Sequence, residues 1–217
     1  MVKELFWNNP CGQSFHYLCY LPKDFDPAKK YPLVFFLHGA GERGNEDGSE
    51  LEYVYRYFWI DRARKGEDFP CVMVAPQCPR EKYWACYMES LNRFLDFAID
   101  EYAVDTDRIY LTGLSMGGTG TWHWSMGNPE RFAAVAPVCG TGVYWYGEKL
   151  VNKPVWAFHG DVDETVPPEE SLQMVKSVNK RGGHAKLTLF HNVGHDAWVG
   201  AYKGTELLDW MLAQRLK

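Results

Sequence analysis

Residues 33–37, 71–75, 133–138 and 155–158 are short, almost unbroken apolar runs, and 109–111 is a shorter fifth. Each gives way at once to a turn rich in Gly, Pro, His or Asp. A strand whose side chains are all apolar is buried on both faces, as in a parallel sheet covered by helices. The segments between the runs carry the other period. Met88, Leu91, Leu95, Ala98 and Tyr102 recur at helical spacing, which predicts an amphipathic helix over 86–102. Helices are also expected over 119–126, over 169–181, where Gly182-Gly183 ends it, and over 201–216. The polarity of 50–65 suggests a surface helix. Two further strands are expected at 14–21, half exposed and ended by Pro22, and at 186–190. Strand and helix alternate throughout, which places the chain in the α/β class, with a mostly parallel central sheet and helices on both faces. The 217 residues suffice for one such domain over 1–217, and no internal repeat or linker interrupts them.

Two of the turns carry chemistry. The run 109–111 leads into Gly113-Leu114-Ser115-Met116-Gly117, which fits G-x-S-x-G. Turning a strand into a helix within about one residue forces the serine into strained φ/ψ, and a Cβ at Gly113 or Gly117 would strike the neighbouring backbone. The hydroxyl of Ser115 then stands above the sheet at a helix N-terminus, where developing negative charge is favoured. An ordinary strand-to-helix turn with a capping serine would look similar. A serine needs a base, and the base needs an orienting carboxylate. The sequence offers both after later strands and in the order acid, then histidine: Asp163 after 155–158 and His195 after 186–190. Asp161 is the rival carboxylate. His38, His159 and His191 read better as structural histidines. The oxyanion of a tetrahedral intermediate calls for the N–H of Met116 and one from the glycine-rich turn after 33–37, for which Ala40 is the candidate. Glu42 and Arg43 would pair to brace that turn. His159, Asp161, Asp163, His191 and His195 make a poor zinc set, because H-x-D-x-D is not an established ligand spacing. No metal and no cofactor are expected.

A formal net charge of −5 argues against nucleic acid and anionic membranes as partners. No apolar run approaches the ~20 residues of a membrane span. The stretch from Met1 to Pro10 lacks a signal-peptide apolar region; if it is the native N-terminus, a cytoplasmic protein is expected, and secretion stays open if that end was trimmed. The six cysteines form no C-x-x-C and read as mostly reduced and structural, with a Cys78–Cys86 bridge as the open alternative that would point to an oxidising compartment.

Aromatic residues make up 16% of the chain, and several fall in expected loops at the site edge: Trp84, Tyr144, Trp145, Tyr146 and Trp198. Flat faces there suit a phenolic acid or a sugar ring. Trp84, Trp145 and Trp198 are therefore the candidate substrate-binding residues, against the alternative that these rings only pack the loops.

His38-Gly39-Ala40-Gly41-Glu42-Arg43-Gly44, the stretch from Asp107 through Gly113-Leu114-Ser115-Met116-Gly117-Gly118, His159-Gly160-Asp161-Val162-Asp163 and Gly194-His195-Asp196-Ala197-Trp198 together resemble the α/β-hydrolase superfamily. The likeness is to its phospholipase/carboxylesterase and feruloyl-esterase or polyhydroxybutyrate-depolymerase-like branch, and runs from about residue 17 to the end. The resemblance implies Ser115, Asp163 and His195 as triad, with Ala40 and Met116 as oxyanion donors. It implies a cofactor-free serine carboxylesterase. Many relatives carry a longer cap than the residues 140–153 found here, so a minimal cap and an open site are expected. Short-chain or aryl esters follow as the expected substrates, as small molecules or carbohydrate-linked. A serine peptidase on the same fold and a non-catalytic ligand-binding protein are the competing readings.

Overall fold

The computed structural model describes residues 1–204 and 206–216. Its strands are β1 (Val2–Trp7), β2 (Phe15–Tyr20), β3 (Tyr31–Leu37), β4 (Val72–Pro76), β5 (Val104–Leu114), β6 (Ala134–Val138), β7 (Trp156–Gly160) and β8 (Lys186–Phe190). They form one eight-stranded sheet in the order β1-β2-β4-β3-β5-β6-β7-β8. β1 and β2 are antiparallel to each other, β2 is antiparallel to β4, and all remaining pairs are parallel. The helices are α1 (Trp59–Arg64), α2 (Met88–Glu101), α3 (Met116–Gly127), α4 (Glu169–Lys180), α5 (Trp198–Ala201) and α6 (Glu206–Leu212).

The unbroken apolar runs are buried for the reason expected. On β3, Leu33, Phe35 and Leu37 face a core shared with Leu91, Phe94 and Leu95 of α2 and Trp122 of α3. The alternate residues Val34 and Phe36 face a second core, built with Phe58, Trp59, Tyr202 and Leu208. The sheet thus separates two apolar cores, and each strand residue commits to one of them by the two-residue period. No helix among the described residues is long and apolar enough to cross a membrane.

Four local expectations are corrected. The surface helix over 50–65 is two pieces, a 3₁₀ turn Leu51–Tyr55 and α1, broken at Tyr57, whose φ is +67°. It is also not a surface element, since Val54, Phe58, Trp59 and Ile60 are buried. The polar residues face water while these apolar ones face the sheet. The helix over 201–216 is likewise divided into α5 and α6. Asp105-Thr106-Asp107, a sequence that suggests a capped turn ahead of the strand, lies inside β5 instead. β1, at the sheet edge, was not expected at all, because Val-Lys-Glu-Leu-Phe-Trp alternates poorly and only half buries its apolar side chains.

All six cysteines are free thiols; Cys78 is buried and Cys86 exposed.

Candidate active site

β5 delivers Ser115 and α3 begins at the next residue. Ser115 has φ +53° and ψ −115°, a conformation L-residues avoid and one that typically costs about 1–3 kcal/mol. It is held there by its own N–H donating to Val138 O (2.9 Å) and its carbonyl accepting from Thr119 N–H (2.9 Å). The flanking glycines are required by close approach. A Cβ on Gly117 would run into the Leu37 carbonyl, and one on Gly113 into the carbonyl oxygens of Gly117 and Leu37.

The loops after β7 and β8 bring Asp163 and His195 to Ser115. Ser115 Oγ lies 2.8 Å from His195 Nε2, and His195 Nδ1 lies 2.7 Å from Asp163 Oδ2. The second oxygen of Asp163 accepts the N–H groups of Thr165 (2.9 Å) and Val166 (3.0 Å). Burial alone would raise the Asp163 pKa. The hydrogen bonds from His195, Val166 and Thr165 outweigh it and hold the carboxyl below its ordinary value. An ionised Asp163 fixes the His195 tautomer with Nδ1 protonated, leaving Nε2 to accept from the serine.

The rival residues lie elsewhere. Asp161 accepts from His191 Nδ1–H (2.9 Å) and from Asn192 N–H (2.7 Å). His159 is wholly buried, sharing Nδ1 with the Ser171 hydroxyl (2.7 Å) and donating from Nε2 to Val166 O (2.9 Å). Its Nε2 is also 3.3 Å from Asp163 Oδ2, so His159 supports the acid's loop.

Ala40 opens the 3₁₀ turn Ala40–Glu42 and Met116 opens α3, so neither N–H has an acceptor in its own helix. Among the described residues, neither donates to a loop carbonyl. The turn beneath Ala40 is braced by His38, which is buried. His38 Nδ1–H donates to Gly39 O (2.6 Å) and its Nε2 accepts from Cys78 N–H (2.9 Å). Burial, helped slightly by Arg43, pushes its pKa down to about 4, against the raising effect of the Gly39 carbonyl. Glu42 and Arg43 do brace this turn, but separately. Glu42 Oε2 accepts Gly39 N–H (2.9 Å) and Arg43 Nε–H donates to Ala40 O (2.8 Å).

The three tryptophans part company. Trp198 reaches the site, its ring edge-on to the His195 imidazole at 5.3 Å. Trp84 does not line the mouth. It is 1% exposed, its Nε1–H donates to His38 O (3.0 Å), and it packs with Phe15 in the core. Trp145 is 57% exposed but stands at the wrong end of the sheet. Its carbonyl accepts from Arg181, just past the C-terminus of α4, and α4 runs back toward the N-terminal edge of the strands. The whole 3₁₀ stretch Tyr144–Leu150 descends beside α4 in this way, with Ser177 Oγ donating to Tyr144 O.

Two neighbours of the site carried no sequence signal. Tyr57 packs against Trp198, the ring centroids 5.6 Å apart and the planes tilted by 50°. Cys139, at the end of β6 with φ +41°, places a buried thiol beside the relay, and burial pushes its pKa up. Among the described residues, Cys139, Asp163 and His195 form the one group with ligand atoms close enough for a metal ion, within 4.8 Å of one another. Two of the three are already hydrogen-bonded to each other.

Known proteins resemble this chain in fold and sequence. A thermostable esterase of known structure superposes with a TM-score of 0.85 at 33% identity, over 99% of this chain and 63% of that one. The bifunctional acetylxylan esterase/xylanase XynS20E of Neocallimastix patriciarum is 26% identical over 159 residues, 71% of this chain and 22% of its own. Dipeptidyl-peptidase 5 of Aspergillus fumigatus is 25% identical over 235 residues, 82% of this chain and 30% of its own. The chain therefore spans less than a third of these two curated relatives. The family model for dienelactone hydrolases matches residues 75–199, which hold Ser115, Asp163 and His195, and the chain, an α/β-hydrolase by fold, belongs to the dienelactone hydrolase family.

Proposed function

We propose that this protein is a serine esterase that works through an acyl-enzyme. The observation that carries the reading is the unbroken relay from Ser115 Oγ through His195 to Asp163, with both hydrogen bonds under 3 Å. Ser115 attacks the ester carbonyl while His195 Nε2 takes its proton. Asp163 holds the imidazole and stabilises the imidazolium. The oxyanion is received by the N–H groups of Ala40 and Met116, aided by the N-terminus of α3. His195 then protonates the leaving alkoxide and activates the water that frees the acid.

Short acyl or aryl esters, including those on carbohydrate, suit the site best. The segment 140–153 lies beside α4, which supports an open site that would not bury a long chain, at about 0.8 kcal/mol forgone per CH₂. XynS20E, an acetylxylan esterase/xylanase by name, supports the carbohydrate-linked case. Dipeptidyl-peptidase 5 supports a second reading, amide hydrolysis, because the relay itself does not choose between ester and amide. A panel of acetyl, butyryl, octanoyl, palmitoyl and feruloyl esters beside a dipeptide 4-nitroanilide separates them. Ser115→Ala is expected to lower kcat by about 10⁴ to 10⁶ with the fold intact by circular dichroism. Activity above a tenth of wild type in that variant would remove the assignment.

A further inference from the structure

On the same edge of the sheet as Ser115 lies a second, polar cavity of about 300 Å³, at the small end of ligand sites. It opens between the start of β2 and the loops that follow β3 and β4. Gln13, Ser14, Asn45, Glu46 and Gln77 line it, with Phe6 and His16 on one side. Its level is fixed by hydrogen bonds. Gln77 N–H donates to His16 O (2.8 Å), the next residue's N–H donates to His38 Nε2, and Leu37 of β3 is in register with Gly113 of β5. The cavity is displaced from Ser115 only sideways, across the three strand spacings from β5 to β2, or about 14 Å.

Gln77 carries an unanswered hydrogen-bond acceptor. Its Nε2 group donates to Glu42 O (3.0 Å) and Glu50 O (2.8 Å), which consumes both donors. Its Oε1 is buried, in a residue 5% exposed, and meets no partner. That oxygen is shut off from the cavity as well, so the groups that face the cavity decide what it can hold. Amides, one hydroxyl and one carboxylate are present, and no lysine or arginine lines the wall, so an anion is disfavoured. The nearby Arg80 is already engaged by Asn45 Oδ1 and Glu50. Phe6 is 54% exposed and lies 4.7 Å from the His16 ring, which gives an apolar flank beside the polar groups. Hydroxyls for Glu46, acceptors for the side-chain amides of Gln13 and Asn45 and an apolar ring face for Phe6 describe a neutral sugar.

We infer that this cavity is a subsite for a sugar unit of the carbohydrate that carries the ester, three strands from the nucleophile. The inference rests on the proposed esterase reading. A short oligosaccharide covers that span and a simple alcohol does not. The subsite accordingly acts on KM for glycan esters and leaves small esters untouched.

Unesterified xylotetraose and cellotetraose, titrated into the wild-type chain by calorimetry and by ¹H–¹⁵N NMR, are the direct probes. Binding of either, with shifts at residues 12–16 and 44–46, is expected, and the pair tells a xylan-type from a glucan-type chain. Phe6→Ala and, as an independent loop variant, Glu46→Ala are expected to weaken that binding. They should lower kcat/KM for acetylated xylotetraose about fivefold or more through KM, with 4-nitrophenyl acetate changed less than about twofold. No binding of either tetraose, or binding and glycan-ester kinetics unchanged in both variants while 4-nitrophenyl acetate is turned over, overturns the subsite. Failure of the wild type to hydrolyse any ester while a tetraose still binds at these residues removes the esterase reading and leaves the sugar site standing.

Discussion

Asp161 and Asp163 are two residues apart on one loop, and chemically identical, yet they differ in what they hold. Asp163 binds the base and two backbone N–H groups out of solvent; Asp161 binds an exposed histidine and the backbone of its loop. Asp163→Asn presents an NH₂ to His195 or loses the bond, and either leaves the wrong tautomer at Nε2. A drop of about 10⁴ in kcat is expected. Asp161→Asn is expected to cost less than about tenfold. Steady-state kinetics on one ester, run side by side, ranks them, and the reverse ranking would reassign the acid. His38 makes a different prediction at this scale. Its pKa is lowered to about 4 in the fold, so between pH about 6.5 and 4 the unfolded chain binds a proton that the folded chain refuses. Stability is therefore full above that window and falls as pH drops through it, by an amount of order 3 kcal/mol. His123, lowered by burial, adds to the loss with the same sign. Asp163, depressed instead, adds its loss at lower pH, below its unfolded value. Urea unfolding at pH 7 and pH 4.5 checks this, with His38→Gln expected to show the smaller difference between the two.

Elements differed in how plainly the sequence announced them. The central strands were legible because burial on both faces leaves no room for a polar residue, as Leu33 to Leu37 show. Ser115 and Asp163 were placed for a related reason, since each lies within three residues of the end of such a strand, whereas His195, five residues past the half-exposed β8, was placed by its order in the chain and its flanking glycine. Aromatic loops had no such anchor. Trp84 and Trp145 sit in comparable sequence settings, yet one is core and the other is exposed at the far end of α4. What separates them is the path of the loop, which side-chain type does not encode. Likewise the break ahead of α1, inside the helix expected over 50–65, was hidden because the positive φ of Tyr57 leaves no mark in side-chain type. The descending stretch Tyr144–Leu150 carries an expectation of its own. Trp145→Ala should leave kcat/KM for small esters within about twofold of wild type, since its backbone is tied to Arg181 and not to the site. A loss of tenfold or more at unchanged melting temperature would return Trp145 to the substrate.

Across the whole molecule, Ser115 and the residues bonded to it hang from strands of unequal protection. β5 is interior, bonded on both sides by β3 and β6, and its residues from Ile109 to Leu114 are buried. β8 is the last strand of the sheet, bonded only to β7, and none of its residues is fully buried. His195 follows β8. Local opening free energies track such differences in burial and pairing. His195 is thus moored to the part of the sheet that frays first, while Ser115 is moored to the part that opens last. Warming should then switch the molecule off before it melts. Residual activity measured at temperature is expected to fall several degrees below the calorimetric midpoint and to recover on cooling. Hydrogen exchange should find the amides of Leu187 to Leu189 opening well before those of Ile109 to Thr112. Coincident loss of activity and fold would mean that the edge strand is locked to the rest, and that the protein behaves as one cooperative unit out to its margin.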